Sequence, residues 1–205
     1  MMMRADAARN RELILDAACH AFADRGPDVP LEEIAAVAGV GVATLYRRFP
    51  TREDLLEAVA SRHIELYEKA LRKGLADPDP WRGFSGFVRA ATEIQARQPG
   101  LAEVLMVPCH GPDEARSAAV FEGYLELVHR AKLDGSLRED YVPEDLPMLL
   151  MANAGVLRGT SATAPRAFKR LVEYLLQAFS CPSRRPLPAP PTPAQMHRAM
   201  NNPAD

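Results

Sequence analysis

Apolar residues recur at helical spacing in nearly every segment of the chain, and the strict alternation that a half-buried strand needs is hard to find. A chain written in that period buries its apolar stripes by packing helix against helix, so the expected fold class is all-α. The breaks locate the helices. Leu13, Ile14, Ala17, Ala18, Ala21 and Phe22 make one face of a first helix expected over Ala8 to Arg25, stopped by Gly26 and Pro27. A second, short helix is expected from Leu31 to Ala38. Pro30 suits its first turn, Glu32 and Glu33 complement the positive end of its dipole, and Gly39 ends it. A third is expected from Val42 to Phe49, because Pro50 disfavours helical geometry in the residue before it. Thr51 can cap a fourth helix, with Asp54 in the position of a capping box, and Leu55, Leu56, Val59, His63, Tyr67 and Leu71 carry it to about Gly74.

The run Ala76-Asp77-Pro78-Asp79-Pro80 favours a turn over continued helix. Beyond it, longer helices are expected at Trp81 to Arg97, Gly100 to Met106, Asp113 to Asp134, Glu144 to Gly159 and Ala164 to Phe179. From Pro182 onward the chain is mostly proline, alanine and polar residues, with little apolar surface to offset the cost of ordering, so a mobile tail is expected. The expected organisation is an N-terminal domain over 1–52, a larger helical domain over 53–181 and a tail over 182–205.

Several function classes fall away. No apolar run approaches the roughly 18 residues of a membrane-spanning helix, and the Met-rich start lacks the apolar stretch of a signal peptide, so no membrane partner and a cytoplasmic location are expected. Cys19, Cys109 and Cys181 show no CxxC spacing and the five histidines no ligand cluster, so neither metal nor cofactor is expected. Cys19 beside His20, and Cys109 beside His110, would suggest a nucleophile with a base. Neighbours on a helix point about 100° apart, however, and no acid pair or phosphate loop supports them, so no catalytic residue is assigned.

The net charge of -2 means that any contact with nucleic acid must come from a local cluster. Between Glu33 and Glu53 no carboxylate interrupts a stretch that carries Arg47, Arg48 and Arg52. The same stretch has the logic of two short helices crossing at a tight turn: small Ala35 lets them approach, Gly39 can reverse the chain, and Ile34, Ala38, Val40, Leu45 and Phe49 supply a buried seam. Thr44, Tyr46, Arg47 and Arg48 are left to offer hydroxyls and guanidinium groups to phosphates and base edges.

From Arg11 to Val59 the chain resembles the TetR family of one-component regulators. The resemblance rests on Ile14-Leu15-Asp16-Ala17-Ala18, Phe22-Ala23-Asp24-Arg25-Gly26, Ile34-Ala35, Ala38-Gly39-Val40, Thr44-Leu45-Tyr46-Arg47-Arg48-Phe49 and Thr51-Arg52-Glu53-Asp54-Leu55. It implies an N-terminal helix-turn-helix joined by a long helix to a helical ligand-binding and dimerisation domain. It implies that Thr44, Tyr46 and Arg48 face a double-stranded DNA operator and that Thr51 and Arg52 meet a phosphate. The chain departs from the family pattern where Gly41 stands for a common capping Ser, Val42 for a polar residue and Pro30 for a capping Ser or Thr. Val42 is left an apolar contact with a thymine methyl, or none, and Arg47 and Arg48 carry more of the affinity.

The resemblance also implies a homodimer, an effector pocket and derepression by a small apolar molecule. Phe84, Phe87, Met106, Phe121, Tyr124, Met148 and Asn153 are the candidate pocket residues, although apolar stripes of this kind equally suit plain core. Leu150, Ala154 and Leu157 on the penultimate long helix and Phe168, Leu171 and Leu175 on the last are the candidate dimer contacts, with the core of a monomer as their other reading. A helical adaptor whose proline-rich tail docks a partner, or an enzyme without specific DNA readout, are the alternatives.

Overall fold

The computed structural model describes residues 2–97, 113–160, 162–180 and 187–201. The helices are α1 (Met2–Arg25), α2 (Leu31–Val37), α3 (Val42–Arg48), α4 (Arg52–Ala76), α5 (Pro80–Arg97), α6 (Glu114–Leu133), α7 (Asp145–Thr160), α8 (Ala167–Phe179) and α9 (Pro193–Asn201). Among the described residues the β-type pairing is an isolated bridge between Leu137 and Ser180. The helix expected from Gly100 to Met106 lies outside the described residues, as do Met106, Cys109, His110 and Cys181.

Two compact units divide within α4, between His63 and Ile64. The boundary therefore falls later than residue 52, for a packing reason: Leu55 and Val59, on the first turns of α4, belong to the N-terminal core. In that unit Ile14, Leu15, Ala18 and Cys19 of α1 meet Ile34 and Ala35 of α2 and Leu45 of α3, all fully buried. Gly39 makes the turn between α2 and α3. Its φ of +66° is the left-handed conformation that glycine adopts without a Cβ penalty, and it lets the Val40 N–H reach back to the Ala35 carbonyl at 3.0 Å. Arg62 of α4 donates to Asp16 of α1 at 2.6 Å, clamping the same unit from its rim.

In the C-terminal unit, Phe84, Phe87, Val88 and Ala91 on α5 face Tyr124 and Leu127 on α6, Leu149 and Leu150 on α7, and Val172 and Leu176 on α8 as buried surface. Aromatic rings run through it, with Phe84 edge-on to Tyr141 at 5.3 Å and Tyr141 edge-on to Phe179 at 5.0 Å. The Tyr124 and Tyr141 hydroxyls share a hydrogen bond of 2.7 Å, which gives each phenol a partner inside the core. Arg130 of α6 donates to the Leu75 and Asp77 carbonyls at 2.8 Å each, satisfying acceptors that the end of α4 leaves open.

The tail departs from expectation. Thr192 caps α9 reciprocally with Gln195: the Thr192 N–H donates to Gln195 Oε1 at 2.8 Å, and the Gln195 N–H to Thr192 Oγ1 at 3.2 Å. Pro193 occupies the first helical position, Met196 is buried, and the Leu187 N–H donates to Asp140. A capped, anchored helix thus replaces part of the mobile tail that composition alone suggested.

Gly74 and Gly83 mark a contact in which the end of α4 meets the start of α5 backbone to backbone, since a Cβ on Gly83 would stand 2.5 Å from the Gly74 carbonyl oxygen. Gly86, a turn further along α5, has nothing within 4 Å of its own Cβ position. Alanine in a helix is worth up to about 1 kcal/mol over glycine, whereas forcing an atom into packed space costs about 1–3 kcal/mol. Chemical denaturation should therefore show Gly86→Ala stabilised and Gly83→Ala destabilised, opposite signs from the same substitution in one helix.

Candidate nucleic-acid interface

The N-terminal unit places α3 as a short helix with one face committed to the core. Leu45 is fully buried and Phe49 nearly so, while Val42, Tyr46, Arg47 and Arg48 are exposed and Thr44 is half-buried. The phase is the one expected, because residues three and four apart share a helix face. No side chain caps α3: Gly41 supplies its carbonyl to the Thr44 and Leu45 N–H groups, and the orphan amides of the first turn are left for a solvent or ligand acceptor. Arg47 and Arg48 have no ion-pair partner within the described residues, so both guanidinium groups are available to an anionic ligand.

Tyr46 is less free than its exposure suggests. Its hydroxyl donates to Glu32 Oε1 of α2 at 3.1 Å, and this hydrogen bond, together with the charge of the carboxylate, raises the phenol above its ordinary value. A phosphate approaching Tyr46 has to compete with Glu32 for that proton, so the unengaged ring offers stacking and apolar contact more readily than a hydroxyl donor. No local sequence pattern marks Glu32 for this role, since it meets Tyr46 from 14 residues away.

Thr51 is exposed and caps α4 as expected: its hydroxyl donates to Asp54 Oδ2 at 2.7 Å, and the Asp54 N–H donates back to Thr51 Oγ1 at 3.1 Å. Arg52 is used differently from the phosphate contact that the resemblance implies. It is half-buried, and its Nη1 donates to the Pro27 carbonyl at 2.6 Å and the Val29 carbonyl at 2.5 Å. The guanidinium holds the α1–α2 loop while Arg25 at the end of α1 pairs with Glu33 on α2 at 2.5 Å. Arg52 is a positioning residue for the helix-turn-helix.

The other sequence-predicted residues lie in the C-terminal unit. Phe84, Phe87, Tyr124 and Asn153 are buried, and Phe121 is half-buried with its ring 6.3 Å from that of Tyr124. Met148 is a correction: at 44% exposure it stands on the outer face of α7, beside Met151, and does not line an interior. Leu150 and Phe168 are corrections in the opposite sense, being 2% and 5% exposed, so both are spent on the chain's own core and are out of a partner's reach. Ala154, Leu157, Leu171 and Leu175 are half-buried. Burial pushes the Cys19 thiol up to about 11 and keeps it a packing group. Among the described residues no cluster of His, Cys, Asp and Glu could hold a metal ion, and no helix is long and apolar enough to cross a membrane.

A three-helix unit with a tight turn and a short outward helix bearing unpaired arginines is a helix-turn-helix DNA-binding domain. Comparison with known proteins agrees. Residues 14–59 match the family model of bacterial regulatory proteins, tetR family. The HTH-type transcriptional repressor LfrR of Mycolicibacterium smegmatis is 35% identical over 143 residues, 66% of this chain and 70% of that protein. The crystal structure of the TetR transcription regulatory protein from Mycobacterium vanbaalenii is similar with a TM-score of 0.56 at 31% identity, over 87% of this chain and 99% of that one. The crystal structure of LfrR gives a TM-score of 0.58 at 24% identity, over 85% and 95% of the two chains, and speaks to the fold alone. The chain belongs to the TetR family of transcriptional regulators, which are DNA-binding proteins and not enzymes.

The two roles of Arg52 separate in a measurement without DNA. If it holds the Pro27 and Val29 carbonyls, Arg52→Ala lowers thermal stability in the absence of DNA by about 1 kcal/mol or more, since a hydrogen bond from a charged donor is worth roughly 1.5–3 kcal/mol. A residue serving only a phosphate would leave the free protein's melting unchanged.

Proposed function

We propose that this regulator is a cytoplasmic repressor that binds a two-fold symmetric operator as a homodimer and is released by a small apolar effector held in its C-terminal unit. The observation that carries the DNA-binding part is the outward face of α3, where Tyr46, Arg47 and Arg48 are exposed on a helix seated by Leu45 and Phe49. Seven residues contact few base pairs, whereas two copies related by a two-fold axis read half-sites roughly 34–36 Å apart. Thr44, Tyr46, Arg47 and Arg48 are assigned to the operator, with Val42 in apolar contact and Thr51 at the phosphate backbone.

The dimer assignment rests on exposed apolar surface on α7 and α8. Met148, Met151 and Tyr174 are large apolar residues at 44%, 45% and 55% exposure, and Ala152 and Gly155 beside the methionines are small enough for close helix approach. Half-buried Ala154, Leu157, Leu171 and Leu175 stand at the edge of that surface and complete the contact. Repression and effector release are carried over from the name of LfrR and the family's habit. The continuous α4, which gives Leu55 to one unit and Leu71 to the other, is the element through which an effector shifts the recognition helices. Couplings of this kind amount to about 1–3 kcal/mol.

Selection of DNA from a random-sequence pool by the purified full-length protein tests the reading. The expected product is one motif with two inverted half-sites a helical turn apart, bound by two chains in light-scattering measurements. Enrichment of no motif, or of a single half-site bound by one chain, would remove the homodimeric operator-binding reading.

A further inference from the structure

Resting on the effector-binding reading, one detail inside the C-terminal unit specifies the chemistry of the effector. Gln95 on α5 and Asn153 on α7 are both buried, and they form a directed chain: Gln95 Nε2 donates to the Leu150 carbonyl at 3.0 Å, and Asn153 Nδ2 donates to Gln95 Oε1 at 2.7 Å. The order is not reversible. Turning the Gln95 amide over would set its oxygen against the Leu150 carbonyl, so the backbone acceptor fixes Gln95, and Gln95 in turn fixes Asn153. What the chain delivers at its end is an acceptor. Asn153 Oδ1 is buried and has no hydrogen-bond partner. Such an atom costs free energy unless a ligand or water satisfies it, which makes it an indicator of a site.

The surroundings set the rest of the ligand. Phe84, Phe87, Val88 and Ala91 share the buried stripe of α5 with Gln95, and Leu146, Leu149 and Leu150 share that of α7 with Asn153. The other buried polar groups of these stripes are engaged: Ser85 accepts from Arg89, Thr92 donates to the Val88 carbonyl, and Asp145 accepts from the Val142 N–H. An unpartnered polar acceptor on mainly apolar stripes whose other polar groups are already bonded selects a molecule that is mostly hydrocarbon with one donor. We propose that Asn153 Oδ1 is the acceptor of the effector site, and that the effector class is an apolar molecule presenting an N–H or O–H to it. Gln95 is a positioning residue that sets the polarity of Asn153 without touching the ligand.

Isosteric probe pairs test this by titration calorimetry on the full-length protein: indole against indene, and aniline against toluene. The proposal expects the N–H member of each pair to bind about tenfold tighter, and the preference to vanish in Asn153→Leu. Should that variant not fold, Asn153→Ala serves, and the wild-type preference stands as a test alone. Equal binding within each pair, or a preference that survives the substitution, overturns the acceptor assignment while leaving an apolar effector site. No binding by any of the four at millimolar concentration overturns both that assignment and the effector-pocket reading.

Discussion

A seven-residue helix does not hold its shape in water, because nucleation is costly and too few hydrogen bonds follow it. α3 persists because Leu45 and Phe49 are buried against α1, α2 and the first turns of α4. Removing two such side chains from water is worth roughly 3–6 kcal/mol by area, an upper figure since unfolded chains already hide some surface. The direction in which Thr44, Tyr46, Arg47 and Arg48 point is a consequence of that burial. Gly39 supplies the other half of the constraint, since its left-handed turn sets the angle at which α3 leaves α2. Arg52, Arg25 and Arg62 brace this arrangement through the Pro27 and Val29 carbonyls, Glu33 and Asp16. Three of the basic residues of the unit therefore build the platform, while Arg47 and Arg48 stand exposed on its outward helix.

The C-terminal unit follows the same logic, with departures at two buried groups, the Tyr67 hydroxyl and Asn153 Oδ1. Its helices are joined across their rims by paired charges, with Arg89 of α5 on Glu173 of α8 and Arg116 of α6 on Glu68 of α4. These pairs hold Glu68 and Glu173 below the usual carboxylate range through the guanidinium beside each. Inside, the phenols of Tyr124 and Tyr141 satisfy one another. The Tyr67 hydroxyl and Asn153 Oδ1 stand apart from this economy, and Asn153 differs in being aimed by a chain of side-chain amides; unsatisfied groups in an otherwise consistent fold are where function is expected to lie.

Much of this was legible in the sequence where glycine and proline punctuate the helical period. Pro30, Gly39 and Pro50 bound α2 and α3, and the capping role of Thr51 is where its spacing to Asp54 puts it. The helix-turn-helix face was legible too, because its phase is set by two bulky apolar residues four apart. Other features were not. Arg52 reaches carbonyls 23 and 25 residues away, a contact that no local pattern encodes. α7 is apolar nearly all round, so its sequence does not say which face its own core takes. The sequence pattern alone therefore sends Leu150 outward and Met148 inward, the reverse of what packing does. α9 was readable from Thr192-Pro193-Ala194-Gln195, a capping box with proline at the first helical position, but a proline-rich composition masked it.

The central claim is that the outward face of α3 reads base pairs. It is tested most directly by anisotropy titrations of the wild type and Arg48→Ala against the selected duplex and its single-base variants at fixed salt. If Arg48 forks onto a guanine, the substitution costs about 1–3 kcal/mol on the selected site and little on duplexes already altered at one base pair per half-site. An equal loss on every sequence, with a shallower salt dependence, would contradict base readout by Arg48 and leave it a phosphate contact.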